Sequence, residues 1–162
     1  MKKYIFLLVA SLFVCKGFAQ NIEDDKKWNT ILTEVTENKS FKVDVRQVLP
    51  RRGKTIHPTS PYSIEVKNDS LISYLPYFGR ATTIAYGGGD GLNFTAPIKS
   101  YDSKILKKQR VRVTLKADSE DDHYRYIITF YKNGNVSLDV IGINRESISF
   151  LGDFVFNIDK EK

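Results

Sequence analysis

The spacing of apolar residues along the chain changes once. Between Glu23 and Asn38 it is helical: Trp28, Ile31, Leu32 and Val35 fall at i, i+3, i+4 and i+7, one stripe of an amphipathic helix. Glu23, Asp24 and Asp25 place negative charge in the first turn, where the helix dipole favours it. A helix this short needs an apolar surface to dock on.

From Phe41 onward the period is two. Phe41, Val43 and Val45 alternate with Lys42, Asp44 and Arg46, and a basic connection follows from Pro50 to Pro61. Tyr62, Ile64 and Val66 mark the next strand, which Asn68-Asp69 turns into Ser70–Leu75. Leu92, Phe94, Ala96 and Ile98 form another, followed by Val111–Leu115 and by Tyr124, Tyr126, Ile128 and Phe130. Lys132-Asn133-Gly134-Asn135 reads as a type I′ hairpin turn into Val136, Leu138 and Val140. The last strand, Ile148 to Ile158, carries Phe150, Phe154 and Phe156.

About eight strands spaced near ten residues apart predict a mainly β domain over 21–162. The expected fold is an antiparallel meander closed into a lipocalin-like barrel or a sandwich, with the helix over one open end. An eight-stranded barrel is either filled by side chains or able to hold one small ligand. Tyr124 to Tyr131 carries apolar residues on both faces, which predicts a covered outer face.

The segment from Ser70 to Ile98 concentrates the unusual residues. Pro76 ends a strand or places it at an edge. Tyr77-Phe78-Gly79 reads as an aromatic turn in which Gly79 is free to take positive φ, and Arg80 follows. Thr82–Tyr86 fits a short strand, and Gly87 to Gly91 is a glycine-rich loop. That loop is either a plain hairpin connection or an anion nest closed by Arg80. No Lys-Ser or Lys-Thr and no helix follow it, which excludes a phosphate-binding P-loop. The candidate ligand-binding set is Arg80, Tyr74, Tyr77, Phe78, Tyr86, Gly88, Gly89, Asp90 and Asn93. The competing reading makes the aromatics core residues and pairs Arg80 with an acid or with loop carbonyls.

SYLPYFGRA, YGGGDGLNF and FTAPI resemble the domain-of-unknown-function family 4251, small exported proteins of Bacteroidota. Arg51-Arg52-Gly53, Pro61-Tyr62, Asn144-Arg145 and Ile148-Ser149-Phe150 extend the resemblance over nearly the whole chain after the leader. It departs at Ala81-Thr82-Thr83, where an aromatic or Tyr-Ser-like step would be expected. The resemblance implies a secreted, mostly β domain with no assigned activity and no catalytic residue to carry over.

Met1 to Gln20 has the parts of a secretory signal: Lys2 and Lys3, an apolar run from Tyr4 to Val14, and Gly17-Phe18-Ala19 before the cut. The expected location is the periplasm or the exterior. The apolar run is too short for a permanent anchor, so no transmembrane span is expected. Cys15 is the only cysteine; Phe13 and Val14 before it disfavour lipid attachment. The leader also takes away Lys2, Lys3 and Lys16. Three fewer than 25 basic residues leaves 22 against 19 acids, a net +3 instead of +6. That charge is too mild to point to nucleic acid. Arg51–Lys54, Lys104–Arg112 and the acids of Asp118–Asp122 read as solvated loops.

Candidate chemistry is sparse. His57 and His123 are separate, and no cluster has metal-ligand spacing, so neither metal nor cofactor is expected. The expectation is a non-catalytic binding or interaction domain for a small amphiphilic or anionic ligand or an envelope protein. One alternative is a hydrolase using Asp90 or Asp102 with His57 or Tyr86. The other is a structural envelope protein offering a sheet edge at Ser60–Leu75 or Ile148–Ile158.

Overall fold

Residues 23–80, 91–120 and 122–156 are described by the computed structural model. Helix α1 is α-helical over 23–32 and continues as a π-helix over Thr33–Asn38, ending at Lys39 in the left-handed region. The predicted stripe is its docking face: Trp28, Ile31 and Val35 are buried in the main core and Leu32 packs against it. The Tyr101 hydroxyl donates to the Val35 carbonyl at 2.6 Å. That carbonyl lies in the last turn, where carbonyls lack helical partners. Lys132 pairs with Asp25 at 2.7 Å, tying α1 to the hairpin turn beside it.

Eight strands follow: β1 Phe41–Pro50, β2 Ser63–Lys67, β3 Ser70–Leu75, β4 Leu92–Leu106, β5 Arg110–Asp118, β6 His123–Tyr131, β7 Asn135–Gly142 and β8 Ile148–Phe154. Each pairs antiparallel with the next, and β8 returns to β1, closing a barrel in sequence order. Closure leaves no edge at β2, β3 or β8, which removes the sheet-edge version of an envelope partner.

Two bulges shift the alternation. In β1 the register slips between Val45 and Gln47, so Val43, Val45 and Val48 all turn inward. In β4 it slips between Ile98 and Ser100, and Tyr101 packs against the core from its half-buried site. β4 therefore runs well past the Ile98 end expected from its apolar pattern. The basic stretch Lys104–Arg112, expected as a loop, spans the end of β4, a tight turn and the start of β5.

The turn at Asn68-Asp69 has both residues at positive φ, as a two-residue hairpin requires. Lys132–Gly134 differs from the expected type I′ turn. Gly134 is at φ 86 but Asn133 is not at positive φ, and Gly134 N–H donates to the Tyr131 carbonyl at 2.9 Å. This is the longer hairpin loop with glycine in the left-handed position.

The barrel interior is filled by its own side chains. The Tyr126 hydroxyl on β6 reaches Ser73 Oγ on β3 at 3.1 Å, bridging walls three strands apart. Phe41 on β1 meets Phe130 on β6 edge-to-face at 5.0 Å. Residues from facing walls thus touch across the lumen, which favours a packed core over a lipocalin-like cup. The outer face of β6 is only partly covered: Thr129 is buried, Ile127 and Tyr131 are half-buried, and His123 and Arg125 are exposed.

Candidate functional site

The end of the barrel opposite α1 carries the longer strand connections. The 51–62 connection is pinned there by the Val48–Ile56 bridge, with N–H···O distances of 2.8 and 2.9 Å, and by Val45 N–H donating to the Tyr62 carbonyl. Segment 76–80 leaves β3 at the same end, and residues 143–147 connect β7 to β8.

Asp122 organises this end. Its Oδ1 accepts the N–H groups of His123 at 2.8 Å, Ile143 at 3.0 Å and Asn144 at 3.2 Å. Its Oδ2 lies 3.3 Å from Arg145 Nε. The carboxylate is fully buried, contrary to the expectation that Asp118–Asp122 forms a solvated acidic loop. A buried carboxylate is tolerated when its lone pairs are filled in this way.

The Arg145 guanidinium lies between two aromatic faces, 5.1 Å from the Tyr77 ring centroid and 5.3 Å from that of Tyr124. Its Nη1 donates to the Gly91 carbonyl at 3.0 Å, and Gly91 holds φ +74. Tyr124 in turn stacks on Phe94. Gly142 leaves the needed room: a Cβ there would come within 2.6 Å of Asp122 Oδ2 and 2.8 Å of Arg145 Cγ.

Tyr77 ties segment 76–80 to the barrel. Its hydroxyl lies 2.9 Å from the Arg80 carbonyl and 3.1 Å from that of Glu146. Burial pushes the phenol above its ordinary pKa, partly opposed by the nearby Arg145 charge. Gly79 does not use its freedom to take positive φ. Its requirement is space, because a Cβ would meet the Tyr77 hydroxyl at 2.5 Å. The Glu146 N–H donates to the Arg80 carbonyl at 3.0 Å.

Beside this latch lies a cleft of about 450 Å³. Its polar lining is Arg52, Lys54, Arg80 and Glu146, and its apolar lining includes Pro50, Ile56 and Phe78. Phe78 is 43% exposed, large for an aromatic ring beside three cations. The cations come from segments 51–54 and 76–80, brought together because both cover the same barrel end.

Of the predicted site residues, Arg80 and Phe78 line this cleft, and Tyr77 lies behind it in the latch. Tyr74 and Asn93 do not line it. They face each other across β3 and β4 on the outer wall, where the Tyr74 ring lies 5.3 Å from that of Tyr62. Tyr74 is exposed, not a core residue. Tyr86, Gly88, Gly89 and Asp90, with the nest they would form and the Thr82–Tyr86 strand, lie outside the described residues. The contacts of Arg80 with Tyr77 and Glu146 are made by its backbone; its side chain is exposed.

The hydrolase pairing of His57 with Asp102 is not assembled. Asp102 lies mid-strand in β4, opposite Thr114 and ion-paired to Lys104, whereas His57 follows Ile56, which is bridged to β1. The histidine that does meet an acid is His123, whose Nδ1 is 2.7 Å from Asp118 Oδ2. Asp118 also binds Lys99, and that hydrogen bond leads in lowering the Asp118 pKa. Sequence reasoning gave no site role to Asp122, Glu146, Arg52 or Lys54. The local signals were the basic cluster Arg51–Lys54, read as a solvated loop, and the paired Asn144-Arg145.

The profile of a family described as a domain of unknown function, DUF4251, matches residues 23–154. The crystal structure of a DUF4251 family protein from Bacteroides eggerthii superposes with a TM-score of 0.60 at 14% sequence identity. The match covers 80% of this chain and 87% of that one. At that identity the likeness carries the fold alone. No curated protein matches the chain.

Proposed function

We propose, for a chain that belongs to the DUF4251 family, an exported non-catalytic binding module that takes a small amphiphilic anion in the cleft opposite α1. The observation carrying this reading is the juxtaposition of Arg52, Lys54 and Arg80 with the exposed ring of Phe78. Guanidinium groups suit phosphate and carboxylate, and an aromatic surface suits an adjoining apolar chain. Export is supported by the leader-like Met1–Gln20, and no helix among the described residues is long and apolar enough to cross a membrane. The non-catalytic reading is supported by the separation of His57 from Asp102.

The test is thermal denaturation with octyl phosphate, an anionic headgroup on a short apolar chain. A saturable rise in Tm is expected, because a ligand that binds only the folded state stabilises it by mass action. Octyl glucoside, the neutral counterpart, should give none. An equal response to both, or to neither, contradicts the reading.

A further inference from the structure

The cleft already contains one carboxylate. Glu146 Oε1 lies 3.7 Å from Arg52 Nη2, and Oε2 lies 3.5 Å from the Arg80 backbone nitrogen. Both contacts are long, the first beyond hydrogen-bond distance. The Arg52 side chain is 67% exposed and that of Glu146 22%, and ion pairs this solvated stabilise little. The Glu146 backbone is held firmly by Arg80 and Tyr77, so its side chain can rotate without disturbing the latch. Lys54 and Arg80 form no side-chain ion pair among the described residues.

We propose that Glu146 is an internal competitor for the anion site of the cleft. With the cleft empty, its carboxylate occupies Arg52 and the Arg80 N–H. An entering anionic headgroup displaces it by rotation of the side chain and takes the bidentate geometry on arginine that Glu146 does not reach. The carboxylate thereby selects against weakly bound anions, since any ligand must first remove it and then bind beside its charge. This proposal rests on the cleft being the binding site.

The experiment is isothermal calorimetry of octyl phosphate and of inorganic phosphate with the wild-type chain and with Glu146→Gln and Glu146→Asp. Glu146→Gln keeps the backbone latch and removes the charge; Glu146→Asp keeps the charge but shortens its reach to Arg52. Octyl phosphate should bind Glu146→Gln about tenfold more tightly than wild type, equivalent to about 1.4 kcal/mol, and Glu146→Asp should be intermediate. Enhanced binding of inorganic phosphate as well would assign the ligand by its headgroup alone; enhancement confined to octyl phosphate would assign an amphiphile. Wild-type binding that is unchanged or weaker in both variants overturns the competitor role and leaves the cleft reading standing. Binding by none of the three proteins overturns both.

Discussion

The Asp122 carboxylate meets the Arg145 guanidinium at 3.3 Å, with the carboxylate fully buried and the arginine nearly so. Three backbone N–H groups, one from the start of β6 and two from the β7–β8 connection, complete the carboxylate shell. Asp122→Ala would orphan them and leave Arg145 charged and unpaired. Removing one partner of a buried pair costs about 3–5 kcal/mol, and urea denaturation should show it. Arg145→Lys should also destabilise, because an ammonium cannot lie flat between Tyr77 and Tyr124 while reaching Gly91. The double variant should lose less than the sum of the two, since both remove one interaction.

Alkaline pH should weaken the fold by a defined route. Burial raises the Tyr101 and Tyr126 phenols well above the ordinary tyrosine range. The unfolded chain releases these protons near pH ~10 while the folded chain retains them. Their contribution to stability is therefore complete below about pH 10 and declines as pH rises beyond it. Tyr101→Phe should flatten that decline and also loosen α1, whose Val35 carbonyl loses its donor. Denaturation midpoints measured across the alkaline range test the slope; amide exchange over 33–38 tests the helix.

Barrel closure depends on Gly152, which pairs with Val45 on β1 and Val136 on β7. A Cβ at this position would overlap the Asp44 carbonyl oxygen. Backbone cannot step aside as a flexible side chain does, so Gly152→Ala should cost about 1–3 kcal/mol. Loss of amide protection should be concentrated along β1 and β8. Wild-type stability would contradict the seam as described.

Arg80→Ala separates a structural from a ligand role. The contacts of Arg80 with Tyr77 and Glu146 come from its backbone, which alanine retains. Stability should stay within about 0.5 kcal/mol of wild type, while octyl phosphate affinity falls. A large stability loss with unchanged binding would assign the side chain to the fold instead.

The sequence made the barrel legible because each strand keeps its alternation over most of its length. It hid the second half of β4 because the bulge between Ile98 and Ser100 shifts the phase, and beyond it Tyr101 and Ser103 are only half-buried while Ile105 is exposed. The Val45/Gln47 bulge hid the end of β1 in the same way. The site was legible only in part. Phe78 and Arg80 stood out by local composition, but Asp122 looked like one acid among several. Its burial is decided by residues 143–145, about twenty positions away, which no local pattern reveals. Arg80, directly after the Tyr77-Phe78-Gly79 turn, lines the cleft, whereas Tyr74 and Asn93 alternate onto the outer wall.

The most direct test of the binding claim is a titration of the isotope-labelled protein with octyl phosphate, followed by amide and side-chain chemical shifts. Saturable shifts should concentrate at Arg52, Lys54, Phe78, Arg80 and Glu146, the lining of the cleft opposite α1. The interior residues Ser73, Tyr126 and Phe130 should stay unmoved, because their contacts already fill the lumen. Shifts centred on those interior residues, or on the Tyr62–Tyr74 outer wall with the cleft silent, would contradict the account.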